Sequence, residues 1–293
     1  MRLHGDGIKD ITMDVPDLDE TINGLNRRGG VVKVRNLSTL RTDWGGKLRT
    51  GGEVPTYGET VHTLLDLSDY DHNLPPGYQE LDASAEPTGL LKFDHIVGNV
   101  EEGKMDPPWV NYYIKGMGFN QLISFDDKQI STEYSALRSK VVEYGGRRII
   151  FPINEPALGL KKSQIQEYLD YYNSPGVQHI ALLTDNIVKT VSELKRRGGV
   201  EFLYTPDSYY DDLEERVGHI GEDIEKLREL RILVDRDEHG YLLQIFTKPI
   251  GDRPTFFYEI IQRKGAQSFG GAGNFKALFK SIEEEQRKRG GNL

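Results

Sequence analysis

The chain contains no cysteine, no basic stripe and no long apolar run. The first absence excludes disulfides, thiolate metal sites, iron–sulfur clusters and cysteine nucleophiles, so any metal site must draw on His, Asp, Glu or water. No apolar stretch approaches the ~20 residues needed to cross a bilayer. The opening Met-Arg-Leu-His-Gly-Asp-Gly also lacks the apolar core of a signal peptide. Together these point to a cytoplasmic address and no membrane partner. Positive charge is scarce: 37 Lys and Arg against 46 Asp and Glu leave a formal net charge of −9, spread along the chain. A nucleic-acid partner would require the opposite.

What is present is enough for a folded protein. With 293 residues and 37% hydrophobic content, the chain can bury an ordinary core and hold two domains. Sliding it on itself by 169 positions exposes an internal repeat: Gly7-Ile8-Lys9-Asp10-Ile11 falls on Gly176-Val177-Gln178-His179-Ile180. Arg27-Arg28-Gly29-Gly30-Val31 falls on Arg196-Arg197-Gly198-Gly199-Val200.

Between these anchors each copy has an apolar strand, an Asp placed to cap a helix (Asp17 or Asp185) and a helical stretch closed by Gly. In the second copy Ile187, Val191 and Leu194 recur at helical spacing, and Val200, Phe202 and Tyr204 alternate as a strand. A third copy starts at Phe93-Asp94-His95-Ile96-Val97. Its predicted helix runs through Trp109, Tyr112, Tyr113 and Ile114 to Gly116-Met117-Gly118, followed by strands around 133–142 and 148–153.

Repeated units of strand, helix and further strands predict an α+β fold whose modules pair curved sheets into half-open barrels. The stretch from Tyr70 to Thr88, with Pro75-Pro76-Gly77 and Pro87, reads as a linker, dividing the chain into 1–87 and 88–293. One module then precedes two. The first is expected either to pair with another subunit, giving a homo-oligomer, or to be the remainder of a four-module protein.

Three residues carry the chemistry. His95, His179 and Glu259 each sit in the middle of a short apolar run, 84 and 80 positions apart. Alternation along a strand places Phe93, His95 and Val97 on one face, and likewise Val177, His179 and Ala181, and Phe257, Glu259 and Ile261. A lone histidine on such a face is more commonly a hydrogen-bonded core residue than a ligand. Glu259 is harder to read that way, because an unpaired buried carboxylate costs several kcal/mol. Two histidines and one carboxylate are the protein ligands of a non-haem Fe(II) centre with open positions for substrate and oxygen. The first module has Asp10 where the second has His179, so the scaffold itself does not demand a histidine.

The other histidines, His4, His62, His72, His219 and His239, read as surface or structural residues. Leu242, Gln244 and Phe246 share a face of a strand over 240–247, placing a carboxamide among apolar neighbours. The run Phe269-Gly270-Gly271-Ala272-Gly273-Asn274-Phe275 precedes a helix over about 276–289. Without a Lys-Ser/Thr ending it reads as the hinge of an aromatic lid, not a phosphate loop.

At these residues the chain resembles the 4-hydroxyphenylpyruvate dioxygenase family of the vicinal oxygen chelate superfamily. The resemblance is carried by Phe-Asp-His-Ile-Val-Gly-Asn-Val at 93–100, Thr-Glu-Tyr-Ser-Ala-Leu-Arg-Ser at 132–139 and Phe-Pro-Ile-Asn-Glu-Pro-Ala at 151–157. It continues with Lys-Lys-Ser-Gln-Ile-Gln-Glu-Tyr at 161–168, Gly-Val-Gln-His-Ile-Ala-Leu at 176–182, Gly-Tyr-Leu-Leu-Gln-Ile-Phe-Thr-Lys-Pro at 240–249 and the final Gly-Asn-Phe-Lys-Ala-Leu-Phe.

The resemblance implies βαβββ modules of the glyoxalase type, with the half-open barrel C-terminal and a partial N-terminal domain. It also implies Fe(II) held by His95, His179 and Glu259. Ser139, Asn154, Gln164, Gln178 and Gln244 match the family's polar positions around the substrate, and Phe246, Phe257, Phe269 and Phe275 its aromatic wall and lid. The implied substrates are 4-hydroxyphenylpyruvate and O2, and the implied product is homogentisate.

The nearest competing activity is that of 4-hydroxymandelate synthase, which hydroxylates the benzylic carbon of the same substrate. Pro152, Asn154 and Phe275 fit the dioxygenase pattern better. Two further readings are a metal-binding remnant without turnover, and an isomerase or extradiol dioxygenase of the same scaffold. The family has another module before the point where this chain begins, and Gly270-Gly271-Ala272-Gly273 is one glycine longer than its usual loop.

Overall fold

The computed structural model describes residues 4–28, 38–41, 47–68, 86–125, 136–159, 162–269 and 274. Its N-terminal unit comprises β1 (Met13–Asp14), α1 (Leu18–Arg27), β2 (Ser38–Arg41), β3 (Lys47–Pro55) and β4 (Val61–Asp66). The second unit has β5 (Leu90–Asn99), a helix that begins as α2 (Trp109–Asn111) and continues with π geometry over Tyr112–Met117, then β6 (Asn120–Phe125), β7 (Ala136–Tyr144) and β8 (Ile149–Ala157).

A connecting helix α3 (Gln164–Tyr172) leads to the third unit. This has β9 (Gly176–Thr184), α4 (Ile187–Arg197), the short helices α5 (Ser208–Asp211), α6 (Leu213–Val217) and α7 (Ile224–Leu230), then β10 (Leu233–Asp237), β11 (Gly240–Phe246) and β12 (Phe257–Lys264). No helix among the described residues is long and apolar enough to cross a membrane.

The strand orders make the repeat visible. The N-terminal sheet runs β1-β4-β3-β2, and the larger sheet runs β10-β11-β12-β9-β5-β8-β7-β6. Each unit therefore places its first strand beside its fourth, then its third, then its second. The two C-terminal units join through their first strands, with β5 antiparallel to β9, into a curled eight-stranded half-barrel. The α+β, βαβββ architecture read from the sequence is the one observed.

Several local expectations need correction. Asp17 caps α1, its carboxylate accepting from the Glu20 amide at 2.8 Å. The corresponding cap of α4 is not Asp185 but Asn186, whose side chain accepts from the Lys189 amide at 2.9 Å. The helix begins at Ile187, so Asp185 sits one position too early to reach that amide.

The expected strand at 200–204 is reduced to one bridge between Phe202 and Thr247. β10 already occupies that edge of β11 as far as Gln244, leaving only 246–248 to be paired. Phe93 does not share an interior face with His95. A register irregularity between them makes Asp94 the extra residue of a bulge, and Phe93 turns out to solvent, 66% exposed. Most of the linker from Tyr70 to Thr88, the lid helix and Phe275 lie outside the described residues.

The N-terminal unit does not stand apart from the others. Ile11, Met13, Leu18, Ile22, Leu25, Val54, Tyr57 and Leu64 share one apolar cluster with Tyr113, Phe119, Phe151, Ile153, Val177 and Ile180 of the C-terminal units. His62 is fully buried at that junction. Its Nε2 lies 2.8 Å from the Tyr113 hydroxyl and its Nδ1 3.2 Å from the Ile11 carbonyl, and its ring stacks on Phe151, which is the structural role expected of it.

Candidate metal centre

The order β12-β9-β5 puts the three candidate ligands on adjacent strands. In the pairing register Ala181 faces both His95 on β5 and Glu259 on β12, and His179 stands two residues back on the same face of β9. A period of two along each strand therefore brings all three side chains to one place. One nitrogen or oxygen from each lies within 4.8 Å of the others, and all three residues are buried. Glu259 Oε2 is 3.4 Å from the Nε2 of each histidine.

Neighbouring groups orient both rings. Asp94 accepts from His95 Nδ1 at 2.8 Å, and the Gln178 carbonyl oxygen accepts from His179 Nδ1 at 3.0 Å. With the Nδ1 protons engaged, both Nε2 lone pairs are directed at the space beside Glu259. Burial pushes the Glu259 carboxyl up, but His95 and His179 outweigh this and hold it below its ordinary value. Burial likewise disfavours a charged His95, yet Glu259 and Asp94 prevail and raise it. For His179 burial wins, and its value is lowered. Glu259 Oε1 has no hydrogen-bond partner among the described residues. A buried carboxylate oxygen without a partner beside two imidazole nitrogens is a donor set that fits a divalent cation.

The trio opens on a cavity whose free space, out to open solvent, is about 450 Å³. Of the expected site residues, Ser139, Pro152, Asn154, Gln244, Phe246 and Phe269 line it together with the three ligands. Gln164, Gln178 and Phe257 instead line an adjoining cavity, open to solvent in part. Phe257 links the two spaces: it stacks on His179 with ring centroids 4.8 Å apart. The carbonyl oxygens of Gln164 and Gln244 are buried without hydrogen-bond partners among the described residues, so each cavity holds an unused acceptor.

Some residues escaped the sequence reading. Phe125 and Val141 complete the apolar lining, beside the Val97 already expected on the face of His95. Asn99 Oδ1 lies 3.5 Å from Asn154 Nδ2 and helps to orient it. Asn274, fully buried, also reaches the cavity, with its Oδ1 2.5 Å from the Tyr209 hydroxyl. It stands beside the Phe275 singled out in the sequence, but only the fold reveals that the amide turns inward.

Fold and site together define a class: a half-barrel of paired βαβββ units with a buried donor set that could hold a metal ion. The model of the Glyoxalase/Bleomycin resistance protein/Dioxygenase superfamily matches residues 92–245. The chain is 51% identical to 4-hydroxyphenylpyruvate dioxygenase of Xenopus tropicalis, over 99% of this chain and 75% of that protein. It is 47% identical to the Aspergillus fumigatus enzyme of the same name, over 99% and 73% respectively. Among solved structures, a mutant of 4-hydroxymandelate synthase from Streptomyces coelicolor superposes with a TM-score of 0.81 at 34% identity, covering 97% of this chain and 79% of that one. The chain belongs to the 4-hydroxyphenylpyruvate dioxygenase family.

Proposed function

We propose that this protein is an Fe(II)-dependent dioxygenase that converts 4-hydroxyphenylpyruvate and O2 to homogentisate and CO2. The observation that carries the reading is the buried His95–His179–Glu259 group, with its unpartnered carboxylate oxygen at the head of a mostly apolar cavity. The identity to dioxygenases of that name supports the same substrate.

When bound, Fe(II) supplies the redox chemistry that couples reduction of O2 to decarboxylation of the 2-oxo acid and hydroxylation of its ring. The chain supplies the setting. Asp94 and Gln178 hold the Nδ1 protons, so that His95 and His179 offer Nε2 as ligands, and Glu259 offers its carboxylate. Held by these three protein donors, Fe(II) would keep positions open for a 2-oxo acid substrate and oxygen.

Gln244, Asn154 and Ser139 are assigned to polar contacts with the substrate, and Phe246, Phe269 and Pro152 to its aromatic and apolar walls. Gln164, Gln178 and Phe257 are assigned to the adjoining space, where the unused Gln164 carbonyl oxygen can accept a phenolic O–H. Phe275 is assigned to the lid. The apolar part of the lining, Val97, Phe125, Val141, Pro152, Phe246 and Phe269, would limit the access of water to a reactive oxidant. Every residue of both cavities lies between 95 and 274, which supports assigning catalysis to 88–293 and a scaffolding role to 1–87.

The test is oxygen uptake and product identification with Fe(II), ascorbate and 4-hydroxyphenylpyruvate. Homogentisate is the expected product. 4-Hydroxymandelate would reassign the chain to synthase chemistry, and folded, iron-loaded protein that consumes no oxygen would overturn the proposal.

A further inference from the structure

We propose that Asp94 and Arg263 form a positioning pair that fixes the His95 imidazole and ties it to the 266–269 segment carrying Phe269. The inference rests on the reading of His95 as a metal ligand; it adds Arg263, not so far given a role, and joins the Asp94 contact to the segment that carries Phe269.

Asp94 is the residue displaced by the bulge in β5. The irregularity that turns Phe93 outward gives the Asp94 carboxylate access to His95 Nδ1 on one side and to β12 on the other. There Arg263 meets it as a two-pronged fork, with Nε 2.8 Å from Oδ1 and Nη2 2.7 Å from Oδ2. The Asp94 side chain is 8% exposed and that of Arg263 17%, so the pair is largely out of water. Paired planar groups of this kind are directional as well as strong.

The third nitrogen of the same guanidinium extends the connection. Arg263 Nη1 donates to the Ser268 carbonyl at 2.5 Å and lies 3.4 Å from that of Ala266. Asp237 accepts from the Gln267 and Ser268 amides, each at 2.7 Å, and Arg147 donates to the Gln267 carbonyl. The segment is thus held from both sides. It delivers Phe269 into the cavity edge-on to His95, with centroids 5.1 Å apart, under the Arg263 guanidinium at 5.2 Å. One arginine therefore contacts the partner of a ligand histidine, the backbone leading to the proposed lid, and an aromatic wall of the site.

A salt bridge serving only stability would leave metal affinity unchanged in variants that still fold. A positioning pair would not, because groups that hold a ligand histidine typically change metal affinity by about 10–100-fold when removed. The experiment titrates the metal-free 293-residue chain with Co(II), followed by visible absorption, for the parent, Asp94→Asn, Arg263→Ala and Arg263→Lys, with folding checked by circular dichroism.

Asp94→Asn and Arg263→Ala are expected to bind Co(II) about 10-fold or more weakly. Arg263→Lys should recover only part of the loss, because it restores the charge but not the fork. The two weakened variants should also be cut faster by protease near 266–269. Folded Asp94→Asn and Arg263→Ala that bind Co(II) within about twofold of the parent would overturn the proposal. Failure of the parent itself to bind Co(II) would instead overturn the metal reading beneath it.

If the variants do not fold, proton NMR of the Zn(II)-loaded parent decides. A slowly exchanging His95 Nδ1 proton is expected, and its absence counts against the pair.

Discussion

Glu259 is the residue on which the site turns, because its Oε1 is buried without a hydrogen-bond partner among the described residues while its Oε2 is 3.4 Å from each candidate ligand histidine. A carboxamide at this position keeps the volume and removes the charge. Glu259→Gln should therefore remain folded, bind Fe(II) more weakly by at least the roughly 100-fold upper range of an outer-shell change, and lose oxygen uptake. Iron content after desalting and an oxygen electrode check this; a variant that retains both iron and turnover removes Glu259 from the ligand set.

His62 poses the opposite case, a buried histidine with no chemical duty. Burial lowers its pKa from 6.5 to about 4, against the raising influence of the Ile11 carbonyl and Asp10. Because the folded value lies below the unfolded one, the neutral ring's contribution is fully present above pH 6.5 and is lost as pH falls from there toward 4. The span is worth about 3 kcal/mol. His62→Gln should be less stable than the parent at pH 7.5, and the gap in urea unfolding free energy should narrow by about that amount near pH 4. A gap that stays constant with pH would count against this account.

At the scale of elements, the strands carrying the ligands were legible because burial of a carboxylate in an apolar run is costly without a partner, which made Glu259 conspicuous beside two histidines. The features that were not legible depend on pairing between distant strands. The bulge that frees Asp94 is set by the register of β5 on β9, and Arg263, 169 positions further on, meets it only because β12 also pairs with β9. The division of the polar residues between two cavities was equally hidden, since Gln178 and His179 are sequence neighbours that line different spaces.

The cap of α4 was misread by one residue for a simpler reason: Asp185 and Asn186 are both good capping types, and only backbone geometry chooses between them. That choice is testable. Asn186→Ala should lower stability by about 1 kcal/mol, whereas Asp185→Ala should change it by less than half of that. Urea midpoints of the two variants at pH 7.5 provide the check; equal losses would mean the helix begins elsewhere.

For the whole molecule, the sequence suggested an N-terminal unit separated by a linker, and the apolar cluster shared between that unit and the C-terminal ones gives the separation a different physical meaning. Backbone of each side meets the other at positions where only glycine fits. A Cβ at Gly98 on β5 would lie 2.4 Å from the Tyr57 ring of the N-terminal unit, and Tyr57 is fully buried. A Cβ at Gly58 would lie 2.2 Å from the Pro175 carbonyl, and Gly58 has φ +63°, which a substituted residue would adopt under strain.

Units joined by one close-packed core unfold together, because exposing either face leaves the other without its contacts. The full chain is therefore expected to show a single calorimetric transition, with coincident loss of signal from Tyr57 and from the 88–293 half-barrel in hydrogen exchange. Gly98→Ala and Gly58→Ala should each lower stability by about 1–3 kcal/mol through overpacking. Both should move that one transition down in temperature without splitting it. Two resolved transitions in the parent would show that the shared cluster does not couple the units. A split appearing only in the variants would show that these two contacts are what couples them.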